Sequence, residues 1–451
     1  MPRARLAAPV GAAIVALAIV SFGLGGRTAE RGDAASSPPN VLVIVTDDQP
    51  VGMTKRMPQL SRAAGFTRFD AYYDNNPLCC PTRSTLLTGL YSHHTGVETN
   101  LVAQRFDDRS TLATWLDDAG YDTGLFGKYL NSYPWKRGPN YVPPGWDRWS
   151  AFTPDAAYYD YTLVQDGDRK RYGHARGDYS TDVLADQADD FIASADQPFF
   201  AYFVPYAPHA PRTPAPRDRN AFAGAKVNLP SNFNRTARDA TKWWAHRPRL
   251  NPDGERHATK DQWRSLLAVD DAIGRFLETI KQQGEADNTV VIFLSDNGYS
   301  LGSHRWPWKD CAYEECIHLP LMIRWPGVTD GEHDVKALVG SMDIAPTIAE
   351  ITGADPSAHV DGESLVPLLQ DSTDSLHRPI LLRHVKYPRV TPSFWGVRTE
   401  RWTYVTYGSG ERELYDDERD PHQLRNLAGE HRYDRTVDDL QAKLAELRAS
   451  G

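Results

Sequence analysis

Three runs of apolar residues constrain the fold of this chain more than any other feature. They span residues 41–45, 198–204 and 289–294. Runs that are apolar on both faces are typical of strands buried in the middle of a parallel sheet. A fourth run at 319–324 has the same character, and helical apolar spacing precedes two of the strands, over 179–193 and 263–280. The alternation predicts an α/β sheet with helices on both faces.

The last part of the chain has a different pattern. From about residue 378, short stretches alternate with period two around a turn at 408–410, which predicts a small antiparallel sheet. Four apolar residues then predict a closing helix, namely Val437, Leu440, Leu444 and Leu447. The segment 210–251 is rich in Pro, Arg and Asn and is interpreted as a surface insertion. The predicted organisation is a signal peptide and linker, a main domain and a C-terminal subdomain, over 1–36, 37–375 and 376–451.

The N-terminus has the pattern of an export signal. Arg3 and Arg5 precede an apolar run over 6–24, and small residues at 34–36 offer a cleavage site. An uncleaved membrane anchor is the alternative, because the run is close to the minimum length of a span. No second long apolar run follows. We therefore expect a soluble mature protein in a secreted or extracytoplasmic location, without stable membrane association.

Charge and cysteine content exclude some classes of protein. The chain has 50 Lys and Arg against 59 Asp and Glu, a net charge of −9, which argues against a nucleic-acid partner. An anionic substrate is still possible, since a few cations can reverse the local field. Four cysteines are too few for a disulfide scaffold. Cys311 and Cys316 could pair or remain buried thiols, whereas the adjacent Cys79 and Cys80 could hardly pair without strain.

Polar residues follow two of the predicted strands directly. Asp47 and Asp48 come after the first run, and Asp296 and Asn297 come after the third. Ligands of open α/β sheets bind beyond the carboxyl ends of the strands. Either pair alone could simply cap a helix or a turn. Because oxygen ligands suit Ca²⁺ or Mg²⁺, the two pairs together predict a metal site.

The segment L-C-C-P-T-R-S-T-L-L-T-G at 78–89 is the second candidate for chemistry. Pro81 suits the first turn of a helix over 82–90. Cys79 would lie just ahead of that helix, where free N–H groups and the helix dipole favour an anion, and Arg83 follows one turn later. One interpretation is a thiolate nucleophile. The other is that Cys79 is a small buried apolar residue.

These motifs, in this order, resemble the formylglycine-dependent (type I) sulfatase family. The Cys-x-Pro-x-Arg signature lies at 79–83, and further matching segments are 45–49, 127–131, 207–209, 295–298, 309–314 and 413–421. The resemblance implies an alkaline-phosphatase-like α/β fold, in which helices sandwich a mixed, largely parallel sheet and a smaller antiparallel-sheet subdomain follows. It also implies a maturation partner, the formylglycine-generating enzyme, which oxidises Cys79.

The resemblance implies one Ca²⁺ per chain. Its ligands would be Asp47, Asp48, residue 79, Asp296 and Asn297. Formylglycine at position 79 hydrates to a geminal diol in this family. One metal-activated hydroxyl attacks sulfur, and the second hydroxyl later expels the sulfate.

Other roles are carried over in the same way. Arg83 would stabilise the diol. Binding of sulfate oxygens falls to Lys128, His209 and Lys309, and His209 or a lysine would protonate the leaving oxygen. The alternatives are solvated lysines and a structural histidine. The chain has Leu130 where many sulfatases have a histidine, so the acid role of that histidine is in doubt here or passes to His209. His304 is a further, weaker candidate for substrate binding.

Within the family, the chain is most similar to N-acetylglucosamine-6-sulfatases. The shared segments are 127–131, 143–146, 158–163 and 180–184. The expected substrate is therefore a sulfated small molecule or glycan such as N-acetylglucosamine-6-sulfate, although a fold does not determine specificity. The alternatives are a broad arylsulfatase, a phosphoester or phosphonate hydrolase that uses the same site, and a non-catalytic binder of sulfated glycans.

Overall fold

The structure is a computed structural model. It describes residues 38–133, 137–195, 198–331, 334–356, 358–371, 373–386 and 391–450. The predicted signal peptide and its cleavage site lie outside the described residues. Within the described residues, no helix combines the length and the apolar character that crossing a membrane requires.

The described part of the chain contains seventeen strands and ten α-helices. The strands are β1 (Asn40–Thr46), β2 (Phe66–Phe69), β3 (Tyr72–Tyr73), β4 (Asp122–Gly127), β5 (Arg148–Phe152), β6 (Thr162–Gln165), β7 (Asp168–Arg171), β8 (Phe199–Val204), β9 (Thr289–Ser295), β10 (His318–Leu319), β11 (Leu321–Arg324), β12 (Asp334–Val335), β13 (Val339–Gly340), β14 (Ile380–His384), β15 (Phe394–Arg398), β16 (Trp402–Tyr407) and β17 (Arg412–Asp416). The helices are α1 (Pro58–Arg62), α2 (Cys79–Thr88), α3 (Leu112–Asp118), α4 (Ser180–Ser194), α5 (Lys242–Ala245), α6 (Pro252–Gln282), α7 (Glu314–Ile317), α8 (Ile344–Thr352), α9 (Val366–Leu369) and α10 (Asp434–Ala449).

A ten-stranded sheet forms the centre of the fold, in the order β12-β2-β11-β9-β1-β8-β4-β5-β6-β7. Its five middle strands, β9, β1, β8, β4 and β5, are parallel. Every residue of β1, β8 and β9 is buried, which explains their continuous apolar sequences. The three predicted central strands and the α/β class are confirmed. Because β1 lies between β8 and β9, the segments that follow these three strands emerge at one edge of the sheet.

Two details of the strand prediction were wrong. The fourth run divides at Pro320, since proline has no N–H to donate to a ladder. His318 and Leu319 pair with β3 in a separate three-stranded sheet, while β11 runs antiparallel to β9. β4 was not predicted at all. Its sequence, D-T-G-L-F-G, carries two glycines that weaken a strand pattern.

The long helix α6 covers one face of the sheet and packs against α4 and α1. Asn251 caps its N-terminus, where the side chain accepts a hydrogen bond from the Asp253 N–H at 3.0 Å. The buried carboxylate of Asp270, within α6, accepts the N–H groups of Gln59 and Leu60 at 2.8 and 2.9 Å. These bonds fix α1 against α6, since they satisfy otherwise free donors at the start of α1.

The C-terminal strands β14 to β17 form a four-stranded antiparallel sheet, which confirms the small antiparallel sheet predicted there, and α10 packs against it. The division at residue 375/376 stays a prediction. The segment 210–251 is not only a surface insertion, because Trp244 is buried and donates to the Tyr407 hydroxyl at 3.0 Å. Cys311 and Cys316 form a disulfide in the same apolar cluster, which resolves their pairing.

Candidate active site

The polar residues that follow β1 and β9 meet in the interior. Strand register places Thr46 opposite Ser295, so the next residues of both strands are neighbours. The Asp48 N–H donates to Asp296 Oδ1 at 3.1 Å, and Asn297 Nδ2 donates to Asp48 Oδ1 at 2.7 Å. Asp47 also is buried. The four residues predicted from the strand ends therefore form one buried cluster.

Helix α2 directs its N-terminus at this cluster. The sequence had suggested that Cys79 lies just ahead of the helix. In the structure it is the first helical residue. Its Sγ lies 3.4 Å from Asp47 Oδ1. One turn later, Arg83 Nε donates to Asp296 Oδ2 at 2.8 Å, and its Nη2 lies 3.8 Å from Asp47 Oδ2. Because Cys79 and Arg83 are both buried, α2 brings a thiol and a cation together beside the carboxylates.

The second cysteine of the pair has different partners. The Cys80 N–H donates to Asn100 Oδ1 at 2.9 Å, and its Sγ accepts the Asn131 N–H at 3.1 Å. Both contacts are with loops beyond the acidic cluster. Cys80 therefore anchors the start of α2, while Cys79 contacts the cluster.

Lys128 follows β4 and reaches the same place. Its ammonium donates to Asp47 Oδ2, and its carbonyl accepts from Arg83. The approach depends on Gly127, whose φ is 131°. A Cβ added at this position would lie 2.0 Å from the Val204 carbonyl oxygen. Only glycine fits there, and the Lys128 N–H then donates to that carbonyl at 2.8 Å.

Lys309 approaches from a separate loop. Its Nζ donates to Asp48 Oδ1, lies 2.8 Å from Cys79 Sγ and lies 3.3 Å from Asn297 Oδ1. The loop is held by a hydrogen bond of 2.6 Å from Trp306 Nε1 to the Lys309 carbonyl. One positive group thus contacts an oxygen or sulfur atom of three predicted metal ligands.

His209 lies on the side of the cluster nearest to solvent. Its Nε2 lies 3.6 Å from Asp48 Oδ2, and its side chain is 27% exposed, against 12% for Lys309. Nδ1 donates to the Ala210 carbonyl at 2.7 Å, which fixes the ring and leaves Nε2 towards the cluster. The Tyr158 hydroxyl donates to the His209 carbonyl at 2.8 Å.

The charges of the cluster determine which groups ionise. Burial alone raises the pKa of Asp47 and Asp48, but the nearby cations outweigh it and lower both. For Cys79, burial and then the charge of Asp47 raise the pKa above its ordinary value, although Lys128 opposes them. The carboxylates are therefore charged and the thiol is neutral. A thiolate at Cys79, the interpretation that relied on the positive surroundings, is not supported.

The donor atoms fit a divalent cation. Single ligand atoms from Asp47, Asp48, Cys79 and His209 all lie within 4.8 Å of one another. The ammonium of Lys309 already contacts three neighbouring donors, so positive charge is accommodated at this point. Carboxylate and amide oxygens suit Ca²⁺. His209, which the sequence assigned to sulfate, is also within reach of the ion position.

His304 is not brought into this cluster. It is buried, stacks on Tyr313 with ring centroids 3.8 Å apart and has Nε2 3.3 Å from the Asn232 side chain. Burial lowers its pKa to about 3. In the described part of the chain no contact joins it to the acidic group, so its expected role in substrate binding has no geometric support.

Two residues near the cluster were missed by sequence reasoning. The ring of Tyr206 lies 4.6 Å from that of His209, and the Lys128 Nζ lies 5.8 Å from the Tyr206 ring centroid. Arg212 lies three residues after His209 and packs on Tyr299. Their nearness in sequence to His209, within Y-A-P-H-A-P-R at 206–212, was the one signal available.

A largely parallel sheet with a buried acidic, cation-compatible cluster at its carboxyl edge agrees with the alkaline-phosphatase-like α/β fold that the sequence predicted. Comparison with known proteins narrows this class. Residues 39–354 match the Sulfatase family, and residues 302–450 match the family "N-sulphoglucosamine sulphohydrolase, C-terminal". The chain belongs to the sulfatase family.

Individual proteins agree with this assignment. Human N-acetylglucosamine-6-sulfatase is 34% identical over 393 residues, covering 81% of this chain and 70% of that protein. A solved structure of a protein in complex with its substrate D-glucosamine-2-N,6-O-disulfate has a TM-score of 0.82 at 25% identity, covering 91% of this chain and 97% of the other. The phosphonate monoester hydrolase of Agrobacterium radiobacter has a TM-score of 0.73 at 22% identity, covering 91% and 95%. The last likeness concerns the fold alone.

Proposed function

We propose that this sulfatase hydrolyses sulfate esters of sulfated carbohydrates such as N-acetylglucosamine-6-sulfate, using formylglycine made from Cys79 and one bound Ca²⁺. The position of Cys79 carries the proposal, since its Sγ lies 3.4 Å from Asp47 Oδ1 and 2.8 Å from Lys309 Nζ. The 34% identity to human N-acetylglucosamine-6-sulfatase supports the choice of substrate.

The cofactor and the modification complete the site. Asp47, Asp48, residue 79, Asp296 and Asn297 would hold Ca²⁺, which would supply Lewis-acid activation of a bound oxygen. Formylglycine would supply a hydrated aldehyde with two hydroxyl groups, one for attack on sulfur and one for release of sulfate. A neutral, buried thiol is a poor nucleophile, which supports a requirement for this conversion.

The remaining side chains act on the substrate. Lys309 carries an ammonium group at residue 79 and Lys128 carries one at the neighbouring Asp47, and both would bind the negatively charged oxygens of the sulfate group. Arg83 would hold the carboxylates of Asp296 and Asp47 in place, since its guanidinium lies 2.8 Å from the first and 3.8 Å from the second. His209 lies on the exposed side, where a sugar alcohol would leave, and would donate the proton from Nε2. Leu130 is buried in the apolar core, so no histidine at 130 competes for this acid role.

The proposed location is outside the cytoplasm. The basic and apolar N-terminal sequence supports export. The disulfide between Cys311 and Cys316 is typical of an oxidising compartment. Maturation would require contact with a formylglycine-generating enzyme before or during export.

A sulfate-release assay tests the proposal. The full chain, co-expressed with a formylglycine-generating enzyme, is incubated with N-acetylglucosamine-6-sulfate, nitrophenyl sulfate and nitrophenyl phosphate. We expect the sugar sulfate to have the highest kcat/KM, and Cys79→Ala to be inactive. Preference for nitrophenyl sulfate would favour a broad arylsulfatase, and preference for the phosphate a phosphoester hydrolase. Equal sulfate release by Cys79→Ala would refute the mechanism.

A further inference from the structure

Arg212 is held at a defined position beside the proposed acid. Its N–H donates to the His209 carbonyl at 2.9 Å. Its φ is 64°, in the left-handed region, which is uncommon for a residue with a side chain. Such conformations persist where the surrounding structure enforces them, and they concentrate at functional sites. The direction of the Arg212 side chain is therefore coupled to the backbone of His209.

The positive charge of Arg212 has no carboxylate partner among the residues that the structure describes. Its guanidinium carbon lies 4.9 Å from the centroid of the Tyr299 ring, and its buried Nε has no hydrogen-bond partner. No carboxylate in the described part of the chain forms an ion pair with it, although Glu255 is near enough to sense its charge. Arg217, in the same segment, is instead paired with Asp182 at 2.7 Å. An aromatic ring orients a guanidinium without neutralising it.

The same ring connects Arg212 to the acidic cluster. Tyr299 is two residues beyond Asn297 and is buried. Burial raises its pKa, and the charges of Arg212, Asp48 and Lys309 all act on its hydroxyl. Tyr299 is therefore near enough to both Arg212 and the acidic cluster to sense their charges, and Arg212 is partly open to solvent.

We infer that Arg212 is a specificity-determining residue that binds a second anionic group of the substrate, a sulfate or a carboxylate, while the first sulfate reacts at residue 79. The inference rests on the proposed function and adds to it a preference for substrates with two negative groups. A guanidinium suits this role because its planar N–H donors pair with two oxygens of one anion. An unpaired arginine also loses less on binding than one that must first leave a carboxylate.

Steady-state kinetics on matched substrates test this inference. The substrates are N-acetylglucosamine-6-sulfate, with one anion, glucosamine-2-N,6-O-disulfate, with two, and a 6-sulfated disaccharide whose second anion is a uronate. The proteins are the wild type, Arg212→Gln, Arg212→Lys and, as a matched control, Arg219→Gln, an exposed arginine of the same segment. Melting temperatures confirm that each variant folds.

We expect Arg212→Gln to lower kcat/KM on a dianionic substrate by about tenfold to a hundredfold, mainly through KM, because a hydrogen bond to a charged group is lost. The monosulfate should change by less than about threefold, Arg212→Lys should be intermediate, and Arg219→Gln should match the wild type. Loss on the disulfate alone identifies a sulfate as the second anion, and loss on the disaccharide alone identifies a carboxylate.

Two results would overturn the inference while leaving the proposed function intact. The first is an equal loss of kcat/KM on all three substrates, which is expected if Arg212 has only a structural contact with Tyr299. The second is unchanged kinetics on all three substrates. Absence of sulfate release by the wild type from every substrate would instead refute the proposed function, and the inference with it.

Discussion

The Nζ of Lys309 lies 2.8 Å from the Sγ of Cys79, although the two residues are 230 positions apart in the sequence. The contact joins the loop after β9 to the first residue of α2. Lys309 also bonds Asp48, so one cation is shared between a predicted metal ligand and the residue proposed to react. This arrangement places a positive charge beside the side chain of residue 79.

The two adjacent cysteines should respond differently to substitution. Cys79→Ala should reduce sulfate release by at least about 1,000-fold, because the group proposed to attack sulfur is removed. Cys80→Ala should keep most activity and cost about 1–2 kcal/mol of stability, since a buried sulfur and the hydrogen bond that it accepts from the Asn131 N–H are lost. Mass spectrometry of the peptide that contains both residues should show the aldehyde at 79 only. An aldehyde at 80, or an inactive but folded Cys80→Ala protein, would contradict the assignment.

Calcium removal should abolish activity reversibly. Dialysis against a chelator should inactivate the enzyme, and added Ca²⁺ should restore it. Titration calorimetry should give about one site per chain, and Asp47→Asn should weaken binding by at least about tenfold, because a buried charged ligand becomes neutral. The exposed Asp374→Asn serves as control. Full activity in the presence of chelator with no bound metal would exclude a metal requirement.

The role of His209 can be separated from sulfate binding by the choice of leaving group. His209→Ala should lower kcat for a sugar sulfate by about 100-fold or more, because an alkoxide needs a proton as it leaves. Nitrophenyl sulfate should lose less than about tenfold, since nitrophenolate leaves without protonation. The exposed His257→Ala should behave as the wild type. Equal losses on both esters would assign His209 to sulfate or metal binding instead.

The buried Glu413 should make stability fall as the pH rises. It accepts hydrogen bonds from the Tyr407 hydroxyl at 3.1 Å and the Thr241 N–H at 3.4 Å. Burial raises its pKa from 4.5 to about 7. Because the folded-state pKa is the higher one, the stability contributed by this group is full below pH 4.5 and is lost as the pH rises through about 7.

Replacement by glutamine removes this titration. Between about pH 5 and pH 8, the wild type should lose up to roughly 3 kcal/mol of unfolding free energy relative to Glu413→Gln. Denaturant unfolding at several pH values measures the difference, and the exposed Glu446→Gln should follow the wild type. Parallel pH profiles for the wild type and Glu413→Gln would show that Glu413 titrates normally in the folded protein.

Several features could be predicted because they depend on neighbouring residues. The apolar runs of β1, β8 and β9 are continuous, which is typical of strands that are buried on both faces of a parallel sheet. Parallel strands end at one edge, so Asp48 and Asp296 could be expected to meet before any coordinates were known. β4 escaped prediction because its two glycines are explained by contacts with distant segments. A Cβ at Gly127 would meet the Val204 backbone of β8, and a Cβ at Gly124 would meet the Phe191 ring of α4.

Only the tertiary structure decided the charge states and the boundary of the site. The sequence places cations near Cys79 but does not give its burial, and burial keeps the thiol neutral. The partners of His304 and Arg212 also could not be predicted from the sequence. The first has its partners in the apolar core, and the second packs beside Tyr299 without a carboxylate partner in the described part of the chain. The sequence alone determined which residue types were available for sulfate chemistry, because local patterns are properties of the chain. The fold decided which of them act together, because electrostatic energies depend on distances and on exclusion of water between segments far apart in sequence.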